Sequence, residues 1–572
     1  MDFDERRLGL NLSNKVYSLR DDIHLLGGYD YKEYRKRWMA GFQTENEWPL
    51  VFSYDLDYKQ RDDIGDARTN WELNRHYQFA ILAKNYFASH DVKYLQELKT
   101  LYQDWNGKNP FLWGISWTSV MEIAIRDISW MYTLAFLMAA RCEDKQLMGS
   151  MEKGIMNMTD YICKHYSRFS SANNHLIVEI TAVGLAGFCF RKKEWMTLSV
   201  ATLSHELYKQ NYKDGVNMEL SLHYQSFVME AYGLMIHTMQ HNGAKVPEEW
   251  KRMLDRMCMY VSHCLWKEKT ACEFGDDDEG KILDLQGGDI NHYSYVLQLC
   301  SLVLNKRYST FEQVNETIRW LFTADEITEC SELTLYDNIG SICFKEGGNS
   351  FLRDKDNQIL IGIDHAALGF GSIAAHGHAD ALSFQLFYKG MPVFVDPGTY
   401  IYHCDLKSRN EFRQTINHNT MSVNGKDQSE MLGAFLWGKK ADTVLDEWKS
   451  DEESDVLTAH HNGYAPVIHQ RTFSFDKDST FTIIDSINRT AEWVCNFNLG
   501  IGILPVVVGT DVYLEYERKR IGVMSFTSED LDISVVDNFY SPEYGKKEKI
   551  KSIRVKGKMK NLVSLIKINK QS

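Results

Sequence analysis

Apolar and aromatic residues recur at three- and four-residue spacing through roughly the first 325 residues, which is the period of helices with a buried face. From Trp117 to Met138, the residues Trp117, Met121, Ile125, Ile128 and Tyr132 fall on one stripe. Between Leu222 and Met239, Phe227, Tyr232, Leu234 and Met235 predict a helix packed over much of its circumference. Turn chemistry separates such segments at Asn106-Gly107-Lys108-Asn109-Pro110, Lys213-Asp214-Gly215 and His241-Asn242-Gly243, the punctuation of stacked helical hairpins. A toroid or incomplete barrel of helix pairs fits this pattern. After about residue 330 the texture changes to short β-branched and aromatic runs, at Ser341–Lys345, Gln358–Ile363, Met391–Val395 and Thr480–Ile484, which predict antiparallel strands. The expected division is a helical domain over 1–328 and a β-domain over 329–572, with the boundary inside Glu326 to Asn338. No Pro/Gly-rich linker marks it, so the two should pack closely around a cleft that is the default site. Near the C-terminus, Lys546 to Lys556 alternates charge with Ile and Val and reads as an edge strand guarded by lysines.

Composition narrows the class. With 572 residues, 44% hydrophobic, 13% aromatic and only 8 Pro, the chain can bury two cores, which excludes disorder as its main state. No apolar run of about 18 residues is present, and the opening MDFDERRLGL is not a secretory signal, so neither a membrane span nor a leader is expected. The expected address is periplasmic or secreted if a signal has been trimmed, and cytoplasmic otherwise. Eleven Cys without a CxxC pair argue against a disulfide framework and a structural zinc cluster. A formal charge of -14 disfavours a nucleic-acid binder, and an anionic ligand then requires positive charge gathered in one cleft. Candidates for that field are Arg75, Arg126, Lys407, Arg409 and Arg413.

Several stretches combine residues suited to chemistry. In His376-Gly-His-Ala-Asp380, two histidines at i and i+2 share one face of an extended segment, and Asp396 and His418 complete an imidazole and carboxylate set of the kind a divalent transition metal prefers. Spacing alone leaves polar surface as an alternative, and Asp380 or Asp396 equally suits an acceptor that fixes a ring tautomer. Ser170-Ser-Ala-Asn-Asn-His-Leu176 precedes an apolar helix, where Asn173 is a natural cap; one cap does not account for Asn174 and His175. His223 and Tyr224 sit inside an otherwise apolar helical pattern, where a buried tyrosine with a satisfied hydroxyl is the ordinary explanation. Glu72 before His76 and Glu122 before Arg126 are spaced as surface i,i+4 pairs, while Arg75 near Trp71 also suits a sugar carboxylate over an aromatic floor.

Taken in order, Trp71-Glu-Leu-Asn-Arg-His76, Trp117-Thr-Ser-Val-Met-Glu-Ile-Ala-Ile-Arg126, Asn173-Asn-His175, His223-Tyr224, His376-Gly-His-Ala-Asp380, Val395-Asp-Pro-Gly-Thr-Tyr400 and His418-Asn-Thr420 resemble the heparinase II/III polysaccharide lyases, from about residue 40 to about residue 430. The resemblance implies an N-terminal (α/α) toroid, a C-terminal antiparallel β-sandwich, and β-elimination of uronate-containing polysaccharides, glycosaminoglycans foremost, in the cleft between. It implies catalytic roles for Asn174, His175, Tyr224 and His376, and a divalent metal, zinc or manganese, on His378, Asp396 and His418. The expected substrate-binding set is Arg75, Arg126, Trp117, Tyr402, Arg409 and Arg413. The acidic stretch Phe274 to Gly280 leaves the subsites open.

A lyase of this kind removes the C5 proton of a uronate and expels the C4 oxygen, which requires the neighbouring carboxylate to be neutralised. Asn174 and His175 suit that task. Tyr224 can act as base and then acid on one face of the sugar, provided that cations such as His376 or an arginine lower its pKa; for the opposite epimer, His175 or His376 is the base and Tyr224 the acid. Rival readings are a lyase of another uronate polymer such as alginate, a glycoside hydrolase recruiting Glu122, Glu219 and Asp276, and a non-catalytic binder in which Trp71, Trp113 and Trp117 stack sugars.

Overall fold

Helices buried around most of their circumference alternate with helices that bury one face, in a computed structural model describing residues 2–14, 19–268, 270–288, 291–337, 339–527 and 530–570. The buried set is Tyr77–Ser89, Val120–Ala139, Asn174–Cys189, Leu222–His241 and His292–Leu304. Their partners Val92–Lys108, Lys145–His165, Lys193–Leu207 and Glu248–Cys264 expose the other face, so the pairs form an inner and an outer ring of an (α/α) toroid. Because each inner helix follows a returning outer one, the inner N-termini gather at one mouth of the ring. The predicted break at Asn106 falls later, since the helix runs to Lys108, and Trp117 lies in the 3-10 turn Ile115–Trp117 before its helix.

The last toroid helix is Ala324–Glu332 and the first long-range strand is Ile342–Phe344; Asn338, the end of the expected boundary stretch, lies outside the described residues. An eight-stranded antiparallel sheet packs on a four-stranded one around Leu457, Phe473, Phe497 and Ile553. A third sheet of five strands, Ile342–Phe344, Asn349–Arg353, Ile359–Asp364, Phe384–Tyr388 and Met391–Phe394, joins this sandwich to the toroid. Its alternation divides between two cores: Phe351, Leu360 and Phe387 pack with the toroid, whereas Leu352, Ile359, Ile361 and Leu386 pack with the sandwich. The crossing from Asp364 to Phe384 is therefore held at the domain junction, and it carries His376 and His378.

The edge-strand expectation is corrected. Glu548–Gly557 pairs on both sides, with Asp532–Tyr540 and Trp493–Asn498, so it is interior to its sheet. Within it Ile550, Ile553 and Val555 are buried, while Lys551 and Lys556 meet Asp537 and Asp532 of the neighbouring strand.

Candidate active site

The toroid mouth supplies an amide, an imidazole and a phenol. Asn173 caps helix Asn174–Cys189, its side chain accepting from the His175 N–H at 3.2 Å. Its remaining donor and those of Asn174 converge on one carboxylate: Asn173 Nδ2 and the Asn174 N–H each reach Glu219 at 3.0 Å, and Asn174 Nδ2 reaches it at 2.9 Å. Asn174 Oδ1 is buried without a partner. Burial pushes the Glu219 carboxyl above its ordinary range, against the pull of His376 and the asparagines. His175, half-buried beside them, is pushed down to about 4 by burial, helped by His376, and is therefore neutral near pH 7.

Tyr224 lies in the first turn of Leu222–His241, where Ser221 caps the helix by accepting from the Tyr224 N–H at 3.1 Å. Its ring lies against His376, with centroids 3.9 Å apart, and its hydroxyl is 3.2 Å from that of Tyr402. A phenol from the helical ring and an imidazole from the sheet module thus meet in ring contact, their planes tilted by 31°. The expected lowering of the phenol pKa is not found: burial, with Asp278 and Asp276 nearby, pushes Tyr224 well above the usual range.

Asp276 is the hub that joins the two domains. Arg409 donates to both of its oxygens, His376 Nδ1 lies at 3.2 Å, His378 Nε2 at 3.0 Å, and its N–H donates to the His376 carbonyl at 3.0 Å. Burial opposes its ionisation, but Arg409 and the two imidazoles hold it well below the ordinary carboxylate range. The preceding Gly275 is required by geometry: φ is +61°, and a Cβ there would stand 2.7 Å from the His376 carbonyl oxygen. His376 Nε2 points the other way, 3.7 Å from Glu219.

His378, Asp396 and His418 offer ligand atoms that all lie within 4.8 Å of one another. His418 Nδ1 donates to Asp396 at 2.8 Å, while His378 Nδ1 and His418 Nε2 are buried and have no partner. Two orphaned imidazole nitrogens beside a carboxylate are a donor set that fits a divalent ion.

Apart from Arg409 on Asp276, the expected cations are committed away from an open cleft. Arg75 is fully buried and bound by both oxygens of Glu122, at 2.7 and 2.8 Å, and by Glu72. Arg126 is also buried, stacked on Trp105 and Trp117 and donating to the carbonyls of Asn74 and Ser116. Neither the Glu72 nor the Glu122 pair is at a surface. Arg413 lies over Trp437 and donates to Asn410 and Gly433, and Lys407 is exposed beside Glu411. Trp117 is core and Tyr402 is in the site, so these residues do not form one basic groove. Asp276 and Glu219, considered in the sequence only as hydrolase acids, instead organise the centre. The signal for Glu219 was a carboxylate among apolar neighbours, which must find a cation or donors when buried, whereas nothing singled Asp276 out from the acidic stretch around it.

Residues 35–286 match the family described as Heparinase II/III N-terminus, and residues 338–569 match Heparinase II/III-like, C-terminal. A heparin-sulfate lyase of Pedobacter heparinus is 24% identical over 76% of the chain and 62% of its own length. One from Bacteroides stercoris is 22% identical over 76% of the chain and 64% of its own length, so this chain spans less than two thirds of either relative. A solved heparinase III superposes with a TM-score of 0.71 at 15% identity, covering 98% of this chain and 88% of that one.

Proposed function

The chain belongs to the heparinase II/III family, and from that premise we propose that it is a polysaccharide lyase that cleaves uronate-containing glycosaminoglycans by β-elimination. The observation that carries this reading is the contact of Tyr224 with His376 across the domain junction, beside Asn174 and Glu219. The neutral phenol supports Tyr224 as the acid that protonates the leaving C4 oxygen. The C5 proton then goes to an imidazole. His376 Nδ1 is committed to Asp276, so in the neutral ring Nε2 would be the acceptor, on the Glu219 side, and the neutral His175 is a second acceptor. Asn174 steadies the uronate carboxylate: a protonated Glu219 donating to Oδ1 would turn the amide and free Nδ2 for the substrate.

A divalent metal would be held by His378, Asp396 and His418, with zinc or manganese suited to the donors, and bound there it would supply fixed positive charge. Through Asp276, the same loop orients His376. Hydrolysis is less well supported, because Glu122 is held by Arg75, Glu219 by two asparagines and Asp276 by Arg409, which leaves no uncommitted acid and base pair among them. The names of the relatives make heparan-type chains the first substrates to test. Incubation with heparan, chondroitin, hyaluronan and alginate chains should generate the ultraviolet absorbance of a conjugated unsaturated uronate on at least one of the first three. Tyr224→Phe should lower kcat at least about 10²–10⁴-fold with KM nearly unchanged. Near-normal turnover in that variant would reject Tyr224 as the acid, and reducing sugar released without the chromophore would indicate hydrolysis.

A further inference from the structure

An aromatic shelf stands exposed on the toroid rim. The bridge between Phe52 and Trp113, with the Ser53 N–H donating to Leu112 at 2.9 Å and the Gly114 N–H to Val51 at 2.8 Å, locks two loops together. Trp113 lies 6.3 Å from Phe52, and Phe52 stacks on Tyr54 at 5.4 Å. The Tyr54 hydroxyl then meets those of Tyr161 at 2.7 Å and the ring of His165 at 3.3 Å. Trp113 is 45% and Tyr54 63% exposed, although both side chains are held in place. Beyond His165 the chain turns through Arg168, stacked over Tyr166 at 4.8 Å, to Phe169, which is 96% exposed at φ +60°. A bulky residue in the left-handed region with its ring in water is disfavoured on both counts.

The loops that carry this shelf lead directly into the helices that bear the site. The Trp113 loop leads into helix Val120–Ala139, whose first-turn Glu122 binds Arg75 at the toroid mouth. At the other end, Ser167 donates to Glu179 through its hydroxyl at 2.8 Å, and Glu179 is only about 6 Å along the helix axis from His175. Charge points to the same ligand. Arg75, Arg126 and Arg409 are buried and committed, whereas Lys164 and Arg168 are exposed and enter no ion pair among the described residues. We propose that Trp113, Phe52 and Tyr54, continued by Arg168 and Phe169, form a distal subsite for an anionic sugar chain, holding residues several units from the bond that is broken. The rings stack on the apolar C–H faces of the sugars while Arg168 takes an ionised substituent.

This inference rests on the lyase reading. Its test is chain-length-resolved kinetics of the full chain with a long heparan-type polymer and with a tetrasaccharide, for Phe52→Ala/Trp113→Ala and, separately, Arg168→Ala. The expected result is a KM for the polymer raised about five- to tenfold in the aromatic variant, a smaller rise that fades with salt in R168A, and unchanged kcat. Tetrasaccharide kinetics and the thermal midpoint should not move. Unchanged polymer KM, or an equal loss on both substrates, would overturn the subsite. A dimer that disappears in the aromatic variant while polymer KM stays constant would overturn it in favour of self-association. If the unaltered protein yields no unsaturated product from any uronate polymer, the lyase reading itself fails and the subsite falls with it, an outcome distinct from the others.

Discussion

At the residue scale, the site is governed by buried acids rather than by the arginines. Glu219 receives three asparagine donors and faces His376, so replacing it by alanine removes the group that fixes both amides. Glu219→Ala should lower kcat by about ten- to a hundredfold, because Asn173 and Asn174 lose the partner that orients them; a rate equal to the wild type would remove Glu219 from the mechanism. Glu179 provides a cleaner pH test. It is buried one turn beyond His175, accepts from Ser167, and burial pushes its carboxyl up to about 8. Its folded pKa therefore exceeds the unfolded value near 4.5, so its contribution is fully present below about pH 4.5 and is lost as pH rises through 8. Glu179→Gln should gain stability relative to the wild type by an amount on the order of a few kcal/mol between pH 5 and pH 8.5. Denaturant melts at the two pH values measure this, and a pH-independent difference would contradict the burial argument.

At the scale of elements, the His-Gly-His turn holds both the base candidate and one metal-ligand candidate. Gly377 sits so close to the Leu368 carbonyl that an added Cβ would stand 1.7 Å from its oxygen, against a backbone that cannot swing aside. Gly377→Ala should displace His376 from Tyr224 and His378 from Asp276 together, reducing kcat by about two orders of magnitude and weakening zinc binding measured by calorimetry. Intact turnover and zinc affinity in that variant would show that the turn tolerates movement. This turn also marks how far the sequence could be read. The i, i+2 histidines, the Asn173 cap and the alternation of helical and strand periods were visible, because each depends on local spacing. The commitment of Arg75 to Glu122, 47 positions later, was not, because i,i+4 spacing offered a nearer but geometrically unused partner in each helix. For Lys546 to Lys556, alternation specifies faces but not neighbours, so an interior strand and an edge strand look alike.

At the scale of the whole molecule, a site assembled from two domains is only as well defined as the joint between them. The five-stranded sheet settles that joint by sending successive side chains into different cores: Phe351 and Leu360 into the toroid, and Leu352 and Ile361 into the sandwich. Neither core is complete without it. Its crossing segment, moreover, is clamped by Asp276 and Arg409, whose buried ion pair loses both partners' compensation if the halves separate. Hinge motion between toroid and sandwich would break all of these contacts together, so the Tyr224–His376 distance should be a fixed property of the folded chain, and the two halves should unfold in one transition despite a length of 572 residues. Phe351→Ala tests this because the ring belongs to the toroid core while its strand belongs to the β-domain. The substitution should remove about 3–5 kcal/mol and lower a single calorimetric transition. Far-ultraviolet circular dichroism, which follows the helices, should track tryptophan fluorescence through the same midpoint. Two resolved transitions, with only the helical signal displaced, would mean that the sheet is an appendage of one domain and that the active-site geometry must be secured by the substrate instead.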